Sequence, residues 1–110
     1  MKMKFQPRDI GIWLDIIDVN CLSAADADRL AAFDVNDDED LERLIAEWVK
    51  PRFDENDAQN RGEMVAVLEQ SKQWTADELR PAFEEVGVPS GQDIDNIDRF
   101  MNALRHQILN

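Results

Sequence analysis

Apolar residues recur at three- and four-residue spacings along most of this chain, and that period admits one kind of element. Ile10, Trp13, Leu14 and Ile17 fall at i, i+3, i+4 and i+7. Leu41, Leu44, Ile45, Trp48 and Val49 repeat the pattern, and Ile94, Ile97, Met101, Leu104 and Ile108 draw a further stripe. Such stripes mark one face of an α-helix; a half-buried strand needs strict two-residue alternation, which no useful length of the sequence shows. The expected fold is all-α: a single compact domain of five to six short helices over residues 1–110. A length of 110 residues suits one domain. A domain of this size buries roughly two thirds of the surface its unfolded chain exposes, enough for one modest core.

Local signals place the helix ends. Pro7 stands just before the first stripe, a position proline tolerates. Ser23 in "SAAD" is a candidate cap for a short second helix whose apolar side is Leu30 and Phe33. The stripe from Leu41 is expected to stop near Lys50–Pro51, because a residue before proline is pushed out of α conformation. "FDENDAQNRGE", residues 53–63, is polar and reads as a long surface loop, with a fourth helix beginning around Met64, Val65, Val67 and Leu68. Thr75 and Glu78 form a capping box that opens a fifth. Pro81 removes one hydrogen bond from that helix. The stretch from Val86 to Gly91 ends it, and Ser90 is a candidate cap for the last.

The charge is one-sided. Twenty-four Asp and Glu stand against twelve Lys and Arg, a formal net charge of −12. The acids concentrate in "DVNDDEDLERL", with Asp37, Asp38, Glu39, Asp40 and Glu42, and in a second group of Glu84, Glu85, Asp93, Asp95 and Asp98. Asn36 or Asp34 can cap the third helix, and acids in its first turn meet the positive end of the helix dipole at ~0.3–1 kcal/mol each. Two would suffice, and four in succession repel one another.

A calcium loop does not account for them. Starting at Asp34, Glu39 stands where glycine must permit the sharp turn, and Ile45 where a bidentate carboxylate must close the shell. Cys21 and His106 are the one cysteine and the one histidine, too few for a four-ligand zinc site. They also lie far apart for a catalytic dyad; Cys21 reads as a small buried hydrophobe, and His106 with Arg105 as last-turn charge. The four glycines are dispersed and form no phosphate loop. No cofactor is expected, and no enzymatic activity.

A field of this sign repels nucleic acid and anionic lipid. No apolar run approaches the ~20 residues needed to span a bilayer. A lone cysteine suits the reducing cytosol, and the interrupted apolar start reads as no signal peptide. The natural complement is therefore a basic protein, with the two acidic groups as the binding surface. Trp74, before the Thr75 cap, adds an expected half-exposed aromatic contact, while Trp13 and Trp48 belong to the core.

In size, acidity and lack of catalytic motifs the chain resembles the bacterial immunity proteins that neutralise cognate toxins, such as those of contact-dependent growth inhibition systems. That resemblance implies a cytosolic inhibitor bound to a toxin domain, often a nuclease with a basic active site. The alternatives are a phage-encoded nucleic-acid mimic, of the anti-restriction or anti-CRISPR kind, and an acidic adaptor domain. A mimic would space its carboxylates along an elongated face; here Arg29, Arg43, Lys50, Arg52 and Arg61 are interspersed.

Overall fold

The apolar stripes lie inside an all-α domain, seen in a computed structural model that describes residues 5–109. The first stripe is carried by a 3₁₀ turn, Pro7–Ile10, an α-helix α1, Gly11–Leu14, and a second 3₁₀ turn, Asp15–Ile17. Helices α2, Ala24–Leu30, and α3, Asp38–Leu44, follow. A π turn, Ile45–Val49, joins α3 to α4, Lys50–Asp54. The longer helices are α5, Ala58–Ser71, α6, Ala76–Glu85, and α7, Ile97–Leu109. There is no β-strand among the described residues.

Burial follows the stripes. Ile10, Trp13, Leu14 and Ile17 are at most 2 % exposed, and all five residues of the Leu41 stripe are buried. Helix α7 touches α3, the π turn, α5 and α6, so its buried residues Ile97, Phe100, Met101 and Leu104 form the centre of the core. Each indole N–H of the first two tryptophans is satisfied by a backbone carbonyl. Trp13 Nε1 donates to Met64 O and Trp48 Nε1 to Ile16 O, both at 3.0 Å. These two bonds place α1 against α5 and the second 3₁₀ turn against the π turn, without leaving either indole N–H orphaned. The Cα radius of gyration, 13.2 Å, is what a well-packed chain of this length gives, against about 30 Å unfolded.

Three boundaries differ from the sequence reading. The third helix does not stop at Lys50–Pro51. Lys50 N–H reaches back five residues to Ile45 O, and the helix resumes across Pro51, which has no N–H to place. A π turn is a recognised way to absorb such a register change. Residues 53–63 are not a long loop. Asp57 accepts a hydrogen bond from Asn60 N–H at 2.8 Å and starts α5. The polar residues of its first turns face water, so the sequence looked like loop while the backbone was helix. Arg61 Nη1 closes the preceding turn by donating to Asp54 O and Asn56 O. Finally, Ser90 caps nothing. Asn96 Oδ1 accepts from Arg99 N–H at 3.0 Å and opens α7, which leaves Ile94 half-buried in the connector before it.

Other caps stand where the sequence placed them. Ser23 Oγ accepts from Asp26 N–H, and Thr75 and Glu78 exchange both bonds of the capping box. Helix α6 continues through Pro81. The connector from Val86 to Asn96 needs two glycines. Gly91 has φ +79°, a conformation that L side chains rarely adopt. A Cβ at Gly87 would come within 2.7 Å of Val19 Cγ1, because Val19 N–H donates to Gly87 O at 2.7 Å.

Candidate partner-binding surface

The connector Val86–Asn96 is drawn against residues 34–38, so the two acidic groups meet along one seam. Two side-chain amides make it. Gln92 Nε2 donates to Asp34 Oδ1 at 2.9 Å, and its Oε1 accepts from Val35 N–H at 3.2 Å and from Ser90 Oγ at 2.9 Å. In the other direction, Asn36 Nδ2 donates to Asp93 O at 2.9 Å while Asn36 Oδ1 accepts from Asp95 N–H at 3.0 Å. Arg99, from the first turn of α7, donates to Asn36 O and places Nη1 3.4 Å from Asp38 Oδ1. Its Nε is buried without a hydrogen-bond partner among the described residues. The sequence reading missed Asn36 as a bridge, Gln92 and Arg99; only their amide and guanidinium chemistry hinted at such roles.

Four acids of the first stretch, Asp34, Asp37, Asp38 and Asp40, are used by the fold. Asp37, rather than Asn36 or Asp34, caps α3 by accepting from Asp40 N–H at 3.0 Å. Asp34 folds its own turn, its Oδ1 accepting from Asn36 N–H at 2.9 Å. The Gln92 amide, that backbone bond and the nearby Arg99 together hold its carboxyl below the usual carboxylate range. Asp40 Oδ2 accepts from Asp34 N–H at 2.9 Å, and Asp40 Oδ1 lies 3.8 Å from Arg43. Glu39 and Glu42 remain exposed on α3; Glu42 contributes its backbone carbonyl to Gln107.

The second group is different. Asp93 and Asp95 lend backbone atoms to the seam and keep their carboxylates in water. Glu84, Glu85, Asp93 and Asp95 form no ion pair among the described residues. The near cation, Arg80, pairs instead with Asp77 at 3.2 Å. Glu84 and Asp93 rim a cleft of about 260 Å³ between α6 and the connector, floored by Phe83, Val88 and Ile97. Glu85 diverges from them and faces a separate cleft beside Arg8, Asp15 and Asp18. Asp98 is exposed in the first turn of α7, where it acts electrostatically on Arg105. Burial nonetheless makes the Arg105 guanidinium easier to deprotonate than usual, and its Nη1 donates to the fully buried Ser71 Oγ at 2.9 Å.

Two single-residue expectations are corrected. Trp74 is 8 % exposed and part of the core, so it offers a partner almost no surface. It occupies the position before the Thr75 cap, from which an apolar side chain packs toward the fourth helical residue, here the buried Leu79. Cys21 is exposed rather than buried. Its Sγ and one oxygen each of Asp15 and Asp18 lie within 4.8 Å of one another. Those three donors fall short of a closed four-ligand zinc shell, and Asp18 Oδ1 already accepts from Asn20 and Gly87 N–H groups. Desolvation, followed by the two carboxylates, raises the Cys21 thiol above its ordinary range, which favours the neutral form.

Several cations are also held away from the unpaired acids. Arg52 lies over the Trp48 ring at 3.8 Å, with Arg29 at 5.6 Å from the same ring, and Arg43 over Phe33 at 5.4 Å. No helix among the described residues is long and apolar enough to cross a membrane. No protein-family model, curated protein or solved structure matches the chain.

Proposed function

We propose that the chain is a small acidic inhibitor that binds and neutralises a basic protein partner, in the manner of an immunity protein acting on a cognate toxin in the cytosol. The observation that supports this reading is the set Glu84, Asp93 and Asp95, exposed carboxylates without an ion pair among the described residues, of which Asp93 and Asp95 are held in place by backbone bonds to Asn36. A net charge of −12 steers a basic partner toward such a surface. Steering of this kind raises association rates by roughly 10–10³ at low salt, whereas desolvated anchors inside the patch set the dissociation rate. Catalysis is no part of the reading.

The test is protection. Any toxin-like protein found to be encoded beside this chain is expressed with it, and survival is compared for wild type, E84Q/D93N/D95N and D38N/E39Q. The first variant is expected to weaken binding at least tenfold and to lose protection. The second is expected to protect nearly as well as wild type. Capture that is indifferent to salt and to all five substitutions would refute a role for the acidic surface.

A further inference from the structure

Resting on that inhibitor reading, we infer that the cleft between α6 and the Val86–Asn96 connector is the anchor site for one arginine side chain of the basic partner. The floor supplies the apolar half of the match. Phe83 and Val88 are each 7 % exposed and Ile97 is 5 % exposed, while much of the rest of the core is at 0–3 %. An aliphatic stem laid over them would complete their burial. The rim supplies the charged half. Glu84 and Asp93 have no ion pair among the described residues, and Arg80, the cation on the same rim, is drawn by Asp77 toward the start of α6.

Size narrows the occupant. About 260 Å³ is below the ~300–1,000 Å³ of a small-molecule pocket and holds several waters at ~30 Å³ each. That is the scale of one long side chain, not of a cofactor or a helix. Arginine fits better than lysine, because its guanidinium is weakly hydrated and its planar fork of donors can serve two carboxylates at once. The wall is also preorganised. Gln92 has both ends of its amide committed to Asp34, Val35 and Ser90, so the cleft need not rearrange to receive a guest, which lowers the ordering cost of binding.

The probe is a blocked Gly-Arg-Gly tripeptide, titrated into the ¹⁵N-labelled full chain beside its Lys and citrulline counterparts. The arginine peptide is expected to give saturable shifts confined to the region Phe83–Ile97. Its affinity should exceed that of the lysine peptide about threefold or more, and the citrulline peptide should give no saturable shift. E84Q/D93N should weaken arginine binding at least tenfold with the rest of the spectrum unchanged, and D38N/E39Q should leave it intact. Shifts spread equally over both acidic groups, lysine binding as tightly as arginine, or no binding would each overturn the anchor. If the arginine peptide fails while E84Q/D93N/D95N still weakens capture of the basic partner, the anchor falls and the inhibitor reading stands. If the peptide binds as expected but those substitutions leave capture untouched, it is the inhibitor reading that falls.

Discussion

Asp38 and Asp93 stand on either side of one seam, yet of the two only Asp38 forms an ion pair among the described residues, with Arg99 Nη1 at 3.4 Å. The contrast extends to their neighbours. Around Asp38, Asp34 holds the Gln92 amide, Asp37 caps α3 and Asp40 accepts from the backbone of Asp34. Around Asp93 the fold uses peptide groups and leaves the carboxylates of Glu84, Asp93 and Asp95 to water. The denser acidic stretch is therefore the more structural one. Acid density in a sequence does not separate a binding surface from a capped helix start; what separates them is how many of the carboxylates the molecule already satisfies.

The largest expected effect falls on the structural side. Arg99→Ala removes a guanidinium that joins Asn36 O to Asp38. A hydrogen bond to a charged group contributes ~1.5–3 kcal/mol, and a loss of that size is expected in urea denaturation. A change under ~0.5 kcal/mol, the range of ordinary surface substitutions, would mean that the seam is incidental and the two regions do not differ as described.

A smaller effect is expected at the cap. Asp37→Ala should cost ~1 kcal/mol, with Asp37→Asn nearly neutral because an amide oxygen caps as well. Asp93→Asn should stay within ~0.5 kcal/mol, its structural contribution being a backbone carbonyl. Equal losses at Asp37→Ala and Asp93→Asn by thermal melting would erase the distinction.

The smallest effect is the acid limb. Asp34 has its carboxyl lowered in the folded state, first by the Gln92 hydrogen bond. A group lowered on folding contributes stability above its unfolded value, ~3.9 for Asp, and that contribution is lost as pH falls through the lower folded value. Stability measured from pH 5 downward should therefore decline less steeply in Asp34→Asn than in wild type. Identical acid limbs would show that the Gln92–Asp34 bond does not favour the ionised form.

Much of the scaffold was legible in the residues themselves. The Leu41 stripe is buried throughout, and the Ser23 and Thr75 caps are made as their side chains suggest. Misreadings arose where a second interaction overrode a local rule. Pro51 ends no helix because a π turn shifts the hydrogen bonding before it. The polar run 53–63 holds helix because Asp57 caps it and Met64, Val67 and Leu68 anchor it. Trp74 is buried because the helix it precedes closes over the core. The candidate surface was visible only as two lists of acids, of which Glu85 turns to another cleft.

Helical periodicity, capping and net charge are relations among near neighbours or sums over the chain, and the sequence alone determined them: an all-α fold and an acidic surface. Which acids remain free was decided only by tertiary structure. The bonds that tie Val35 to Gln92 and Asn36 to Arg99 join residues 57 and 63 positions apart. No local pattern encodes such a pairing, because it exists only after α7 has packed beneath both loops and brought their backbones within hydrogen-bonding reach.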